Sequence, residues 1–130
     1  MLQEIPRVFS KRSEDNLKGV HPQLVAVVRR ALQISDVDFT VVEGLRTPER
    51  QKQLVAQGAS KTMNSRHLVG QAVDLYPYYS GSVQVQAPAI KYREIAQAMR
   101  VASSEQGVRI TWGGDWSTLV DMPHYQIEGV

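Results

Sequence analysis

The chain has 130 residues, 42% of them hydrophobic and 22% charged, with a formal net charge of +2. That length and balance describe a single domain, residues 1–130, able to bury about two-thirds of its unfolded surface, and they exclude a disordered or fibrous chain. The lack of cysteine excludes a disulfide framework and cysteine-ligated zinc, and no stretch approaches the roughly 20 apolar residues of a membrane span.

Charge is unevenly placed: residues 1–66 carry 11 Lys or Arg against 7 Asp or Glu, and the remainder 4 against 6. No basic run exceeds two residues, so a normally solvated surface is expected and nucleic-acid binding is not. The N-terminus lacks a long apolar run after its first basic residue. Synthesis in the cytoplasm without a cleaved signal peptide or stable membrane insertion is therefore expected.

Residues 1–19 are polar and admit a short helix around Ser10 to Asn16. His21-Pro22 then opens a helix reaching Ile34, with Leu24, Val25, Val28, Ala31 and Leu32 at helical spacing and His21 as a cap or surface residue. Phe39 to Glu43 reads as a strand ended by Gly44. Thr47-Pro48-Glu49 starts the next helix, which runs to about Gln57 before Gly58, so Arg46 stands at a strand-to-helix corner.

Residues 59–65 read as a loop, and Ala72 to Tyr76 as a strand with Asp74 on the face opposite Val73 and Leu75. Residues 77–88 read as a further loop, and Tyr76 before it with Tyr78 and Tyr79 within it line a cleft or cover a sheet edge. A second core helix spans 89–106 and stops at Gly107. Strands follow at 108–112 and 124–127, separated by the Gly113-Gly114 turn and with Pro123 introducing the last. Helices and strands do not alternate regularly, which predicts an α+β fold: a small, mainly antiparallel sheet flanked by helices.

The chemistry concentrates in Ser65-Arg66-His67-Leu68-Val69-Gly70-Gln71-Ala72-Val73-Asp74. On one straight helix His67 and Asp74 would lie about 10 Å apart, and on one strand more than about 20 Å. For both to touch one ion the chain must double back, and Gly70 adopts the required turn most cheaply. His124, in Asp121-Met122-Pro123-His124, is the third candidate ligand. Two neutral imidazoles and a carboxylate hold zinc with a position left for water, whose pKa falls toward about 7; the same donors also suit non-haem iron. Asp121, ionised at neutral pH, is the candidate general base, and Arg46 the candidate for stabilising an oxyanion. The helical His-Glu-x-x-His signature is absent.

Ser65-x-His67-x-x-Gly70-x-Ala72-x-Asp74 followed by Asp121-x-Pro123-His124 resembles the paired motif of a zinc peptidase family. That family comprises D-alanyl-D-alanine carboxypeptidases, D-Ala-D-Ala dipeptidases and phage L-alanyl-D-glutamate endopeptidases. The similarity extends to Gly44 through Gln51 and to Trp112-Gly113-Gly114-Asp115-Trp116, and so covers residues 20–128. It implies Zn2+ held by His67, Asp74 and His124, with Asp121 as base, Arg46 on the substrate carbonyl or oxyanion, and Ser65 fixing site or substrate. Glutamate is usual as the base in the carboxypeptidase and dipeptidase branches, and Asp121 resembles the phage branch.

The resemblance thus implies an endolysin cutting the L-Ala–D-Glu bond of the peptidoglycan stem peptide, expected as a monomer without a wall-binding domain. Such an enzyme waits in the host cytoplasm and needs a holin to reach the wall. The rival readings are a D-Ala-D-Ala carboxypeptidase of the same fold and a non-catalytic, zinc-stabilised wall-binding module.

Overall fold

The structure, a computed structural model, describes residues 7–130; of the polar N-terminal segment, residues 1–6 lie outside the described residues. Polar side chains start the helices where the sequence places them. Ser10 caps α1 (Lys11–Leu17) by accepting from Ser13 N, and His21 caps α2 (Pro22–Ile34), its Nδ1 accepting from Gln23 N at 3.2 Å. Thr47 caps α3 (Pro48–Ala56), whose first residue is Pro48. The long α4 (Ala89–Gln106) ends on Gly107 in the left-handed region.

Five strands form the sheet: β1 (Phe39–Glu43), β2 (Ala72–Tyr79), β3 (Ser82–Val83), β4 (Ile110–Trp112) and β5 (His124–Ile127). They run antiparallel in the order β1-β2-β5-β4, with β3 on the outer half of β2, so the α+β expectation holds. The core contains Leu24, Val28, Ile95 and Met99 from α2 and α4, and Val41, Val73, Leu75, Tyr125 and Ile127 from the sheet. Alternation along β2 and β5 then turns Asp74 and His124 to the other face.

The sheet edge at β1 is closed by α1. Ser13 Oγ accepts from Val41 N at 3.0 Å, and Asn16 Nδ2 donates to Val41 O and Val42 O at 2.9 and 3.1 Å. These bonds satisfy backbone groups that would otherwise offer a pairing edge. They also sit at a bulge. Val41 pairs with Leu75 but Glu43 pairs with Asp74, so two residues of β1 answer one of β2. The extra residue moves Glu43 onto the face of Asp74, opposite the core face of Val41.

Residues 77–88 differ from the loop expected. β2 continues through Pro77 to Tyr79 and turns back into β3 through Ser80 and Gly81, whose φ values are +54° and +79°. Two positive φ values in a two-residue turn suit the right-handed twist of a hairpin. Proline is tolerated because Tyr78 N donates to Asp38 O, so neighbouring Pro77 directs its missing N–H away from β1. Tyr92 Oη then donates to Val85 O at 2.8 Å and ties the following segment to α4.

Candidate metal centre

Register brings the site together. Asp74 and His124 are direct cross-strand partners, and side chains so paired share one face with Cβ atoms about 5 Å apart. His67 arrives by a different route. Ser65 Oγ accepts from His67 N at 3.2 Å and starts a 3-10 turn over Arg66–Val69, which Gly70 ends at φ +70°. The reversal expected between His67 and Asp74 is therefore one tight turn and a left-handed glycine. A Cβ at Gly70 would collide with the carbonyl of Gly19, so close approach as well as backbone angle demands glycine.

His67 Nε2 lies 3.3 Å and His124 Nδ1 3.6 Å from Asp74 Oδ1, and the three ligand atoms fall within 4.8 Å of one another. Ligands 2.0–2.1 Å from a tetrahedral zinc ion stand about 3.3 Å apart, so the separations of both imidazoles from Asp74 Oδ1 fit one ion. Asp74 Oδ1 is buried and has no hydrogen-bond partner among the described residues. A buried carboxylate oxygen in that condition is costly unless a cation meets it, and two imidazole nitrogens beside it complete a donor set suited to zinc. Both rings have their remaining nitrogen engaged: His67 Nδ1 with Gly44 O and His124 Nε2 with Gln126 Oε1, each at 2.8 Å.

Electrostatics follow the same geometry. Burial alone would raise the Asp74 pKa, but attraction to the nearby His124 and His67 imidazoles outweighs it and holds the carboxyl far below its usual range. Burial favours neutral His124, yet attraction to the Asp74 carboxylate and the hydrogen bond to Gln126 prevail and raise its pKa. Asp121 keeps an exposed side chain at the rim. Its pKa is raised by partial desolvation and by the negative charge of Asp74.

Asp121 and His124 are joined by a turn in which His124 N donates to Asp121 O, while Asp121 N donates to Gly113 O. Gly113 has no room for a side chain, since a Cβ there would press on Asp121 and on His124 Cβ. Pro123 O accepts from Leu75 N at 2.9 Å and anchors the turn beside Asp74. The Trp112–Trp116 segment divides its aromatics: Trp112 stacks on Tyr125 in the core, and Trp116 lies against the His124 ring at 5.1 Å.

Arg46 is buried behind the three ligands. It grips Glu43 with Nε and Nη2 at 2.7 and 2.8 Å, donates from Nη1 to Gln51 Oε1 at 2.7 Å, and approaches Ser65 Oγ at 3.5 Å. Its Nη2 stands 3.7 Å from Asp74 Oδ2, on the opposite oxygen from the imidazoles. Ser65 thus touches both the His67 turn and Arg46. Glu43, Gln51 and Gln126 did not stand out in the sequence as site residues. A polar side chain at a core-facing position of α3 is the signal that marks Gln51, whereas Glu43 reaches the site only through the bulge.

The chain is similar to known proteins in sequence and in fold. A family model described as phage L-alanyl-D-glutamate peptidase matches residues 7–128. The L-alanyl-D-glutamate peptidase of Escherichia phage T5 is 35% identical over 116 residues, covering 87% of this chain and 84% of that protein. The L-alanyl-D-glutamate peptidase of Listeria phage A118 is 34% identical over 121 residues, covering 91% of this chain but 41% of that longer protein. Among solved structures, the Serratia marcescens L-Ala D-Glu endopeptidase ChiX aligns with a TM-score of 0.84 at 49% identity, covering 92% of this chain and 88% of that one.

Proposed function

The chain belongs to the phage L-alanyl-D-glutamate peptidase family, and from that membership we propose that it hydrolyses the L-Ala–D-Glu bond of the peptidoglycan stem peptide with Zn2+. One observation carries the reading: His67, Asp74 and His124 converge around a buried carboxylate oxygen that no hydrogen bond from the described residues satisfies. We assign the ligand atoms as His67 Nε2, Asp74 Oδ1 and His124 Nδ1, the ones that face one another. A bound zinc ion supplies Lewis acidity, polarising the scissile carbonyl and acidifying water.

The protein groups do the rest. Asp121 is the general base: its exposed carboxylate accepts the proton of the attacking water and passes it to the departing D-Glu nitrogen. Partial desolvation and the Asp74 charge raise its pKa, which strengthens it as a proton acceptor. Arg46 and Glu43 brace the back of Asp74. Arg46 Nη1 is held by Gln51 at 2.7 Å and approaches Ser65 Oγ at 3.5 Å, so its support of the substrate carbonyl or oxyanion is assigned to act through Ser65, which makes the substrate contact. The wall is the site of action, and passage from the cytoplasm is assigned to a holin: cytoplasmic expression alone should leave cells intact and co-expression should lyse them.

Digestion of purified peptidoglycan followed by mass spectrometry tests the activity. New D-glutamyl amino termini are expected, lost on chelation and restored by zinc. His67→Ala and His124→Ala should lose metal and turnover together, whereas Asp121→Asn keeps metal and loses turnover. Full activity after exhaustive chelation contradicts the proposal. Release of D-alanine alone indicates a carboxypeptidase, and an Asp121→Ala chain with unchanged biological activity indicates a non-catalytic module.

A further inference from the structure

A histidine that ligates through Nδ1 must carry its proton on Nε2, and the group bonded to Nε2 decides whether it does. At His67 the mirror-image question is settled by Gly44 O, a carbonyl that only accepts, so the proton sits on Nδ1 and Nε2 is free. His124 has no such carbonyl. Its Nε2 meets the side-chain amide of Gln126 at 2.8 Å, and an amide can present either an acceptor oxygen or a donor NH2. Something further must choose between the two.

Glu128 makes that choice. Its Oε1 lies 2.8 Å from Gln126 Nε2, and an ionised carboxylate only accepts. Turning the amide over would set its oxygen against the Glu128 oxygen and its NH2 against His124 Nε2, driving the ring proton onto Nδ1. Glu128 is in turn placed from its far side, where Arg66 Nη2 reaches Oε2 at 3.3 Å and Arg66 Nη1 donates to Ile127 O at 3.1 Å. The Gln126 amide, with further help from Thr111 and Arg66, outweighs burial and lowers the Glu128 pKa, which favours its acceptor form. The spacing is that of a strand: positions 124, 126 and 128 alternate onto one face.

We propose that Gln126 is a positioning residue of the metal centre, its amide oriented by Glu128 so that His124 presents Nδ1 to the cation. The inference rests on the reading of His124 as a metal ligand. It assigns a function to three residues outside the ligand set, one of which, Arg66, precedes the ligand His67.

The test measures zinc dissociation constants of the full chain by competition with a chromophoric chelator. Gln126→Leu should weaken zinc binding by about 10- to 100-fold, and Glu128→Gln by less, since the freed amide samples both orientations. Gln126→Glu/Glu128→Gln should bind within about threefold of the parent, because it restores an acceptor beside His124 and a donor beside that acceptor, at unchanged net charge. As a second readout, nitrogen-15 NMR of the zinc-loaded chain should show a slowly exchanging His124 ring N–H in the parent and the exchanged pair, and fast exchange in Gln126→Leu.

A folded Gln126→Leu chain with parental affinity and ring protection overturns the inference. So does an exchanged pair that binds no better than Glu128→Gln alone, a comparison that holds even where the leucine variant fails to fold. If the parent binds zinc and cleaves while these variants match it, only the inference falls. A parent that does neither removes the metal reading as well.

Discussion

Replacing Gln51 by leucine tests whether the cluster behind Asp74 is held as the structure indicates. Gln51 is fully buried; its amide accepts from Arg46 Nη1 at 2.7 Å and donates to Ser60 Oγ at 2.9 Å and to Thr62 O. A hydrogen bond from a charged donor is worth about 1.5–3 kcal/mol, and each neutral one about 0.5–1.5 kcal/mol. Ser60 and Thr62 are half-buried and exposed, so water can replace the amide there, but Arg46 is 9% exposed and keeps only the 3.5 Å contact of Nη1 with Ser65. The loss at Arg46 therefore dominates, and Gln51→Leu should cost about 2–3 kcal/mol.

For a domain of 130 residues this corresponds to a fall in Tm of about 8–12 °C, at roughly 4 °C per kcal/mol. Thermal and urea unfolding followed by circular dichroism would read it in the metal-free chain. Zinc affinity should fall too, because Arg46 stands 3.7 Å from Asp74 Oδ2. An unfolding free energy within about 0.5 kcal/mol of the parent would refute the assignment of Gln51 as the anchor of Arg46.

Gly70→Ala should destabilise by more than the about 1–2 kcal/mol of a left-handed alanine, because its Cβ also meets the Gly19 carbonyl; urea denaturation checks this, and an unchanged midpoint would contradict it. Tyr125→Phe should be neutral or stabilising by up to about 1 kcal/mol, since the Tyr125 hydroxyl is buried without a partner; a loss above about 1 kcal/mol in the same assay would reveal one. The metal-free chain should draw most stability from the His124–Asp74 pair between roughly pH 4 and 6.5. The raised His124 pKa contributes below its unfolded value and is lost as pH rises through the folded one, whereas depressed Asp74 contributes above its unfolded value and is lost as pH falls through the folded one. Unfolding of the parent and His124→Ala across this range should show their difference largest inside that window.

Local chemistry was legible because it is written in neighbouring residues. Thr47-Pro48 starts α3, His21 caps α2, Gly70 reverses the chain and Gly107 ends α4, each through a backbone preference that acts within one turn. The hairpin at Ser80-Gly81 escaped because the Pro, Gly, Ser and Gln residues of 77–88 read together as a loop, although the missing N–H of Pro77 faces away from β1. Pro77 is harmful only in relation to a neighbour, and the neighbour is chosen by pairing.

By itself the sequence singled out His67, Asp74 and His124 as candidate ligands and required a reversal between the first two. Spacing and residue type limit those choices before any folding is known. Only the tertiary structure decided that Asp74 faces His124 across β2 and β5, that a bulge delivers Glu43 to Arg46, and that Glu128 orients Gln126. Those outcomes depend on register, where a shift of one residue turns every side chain to the opposite face, and no local preference specifies which residues of two distant strands will stand opposite each other.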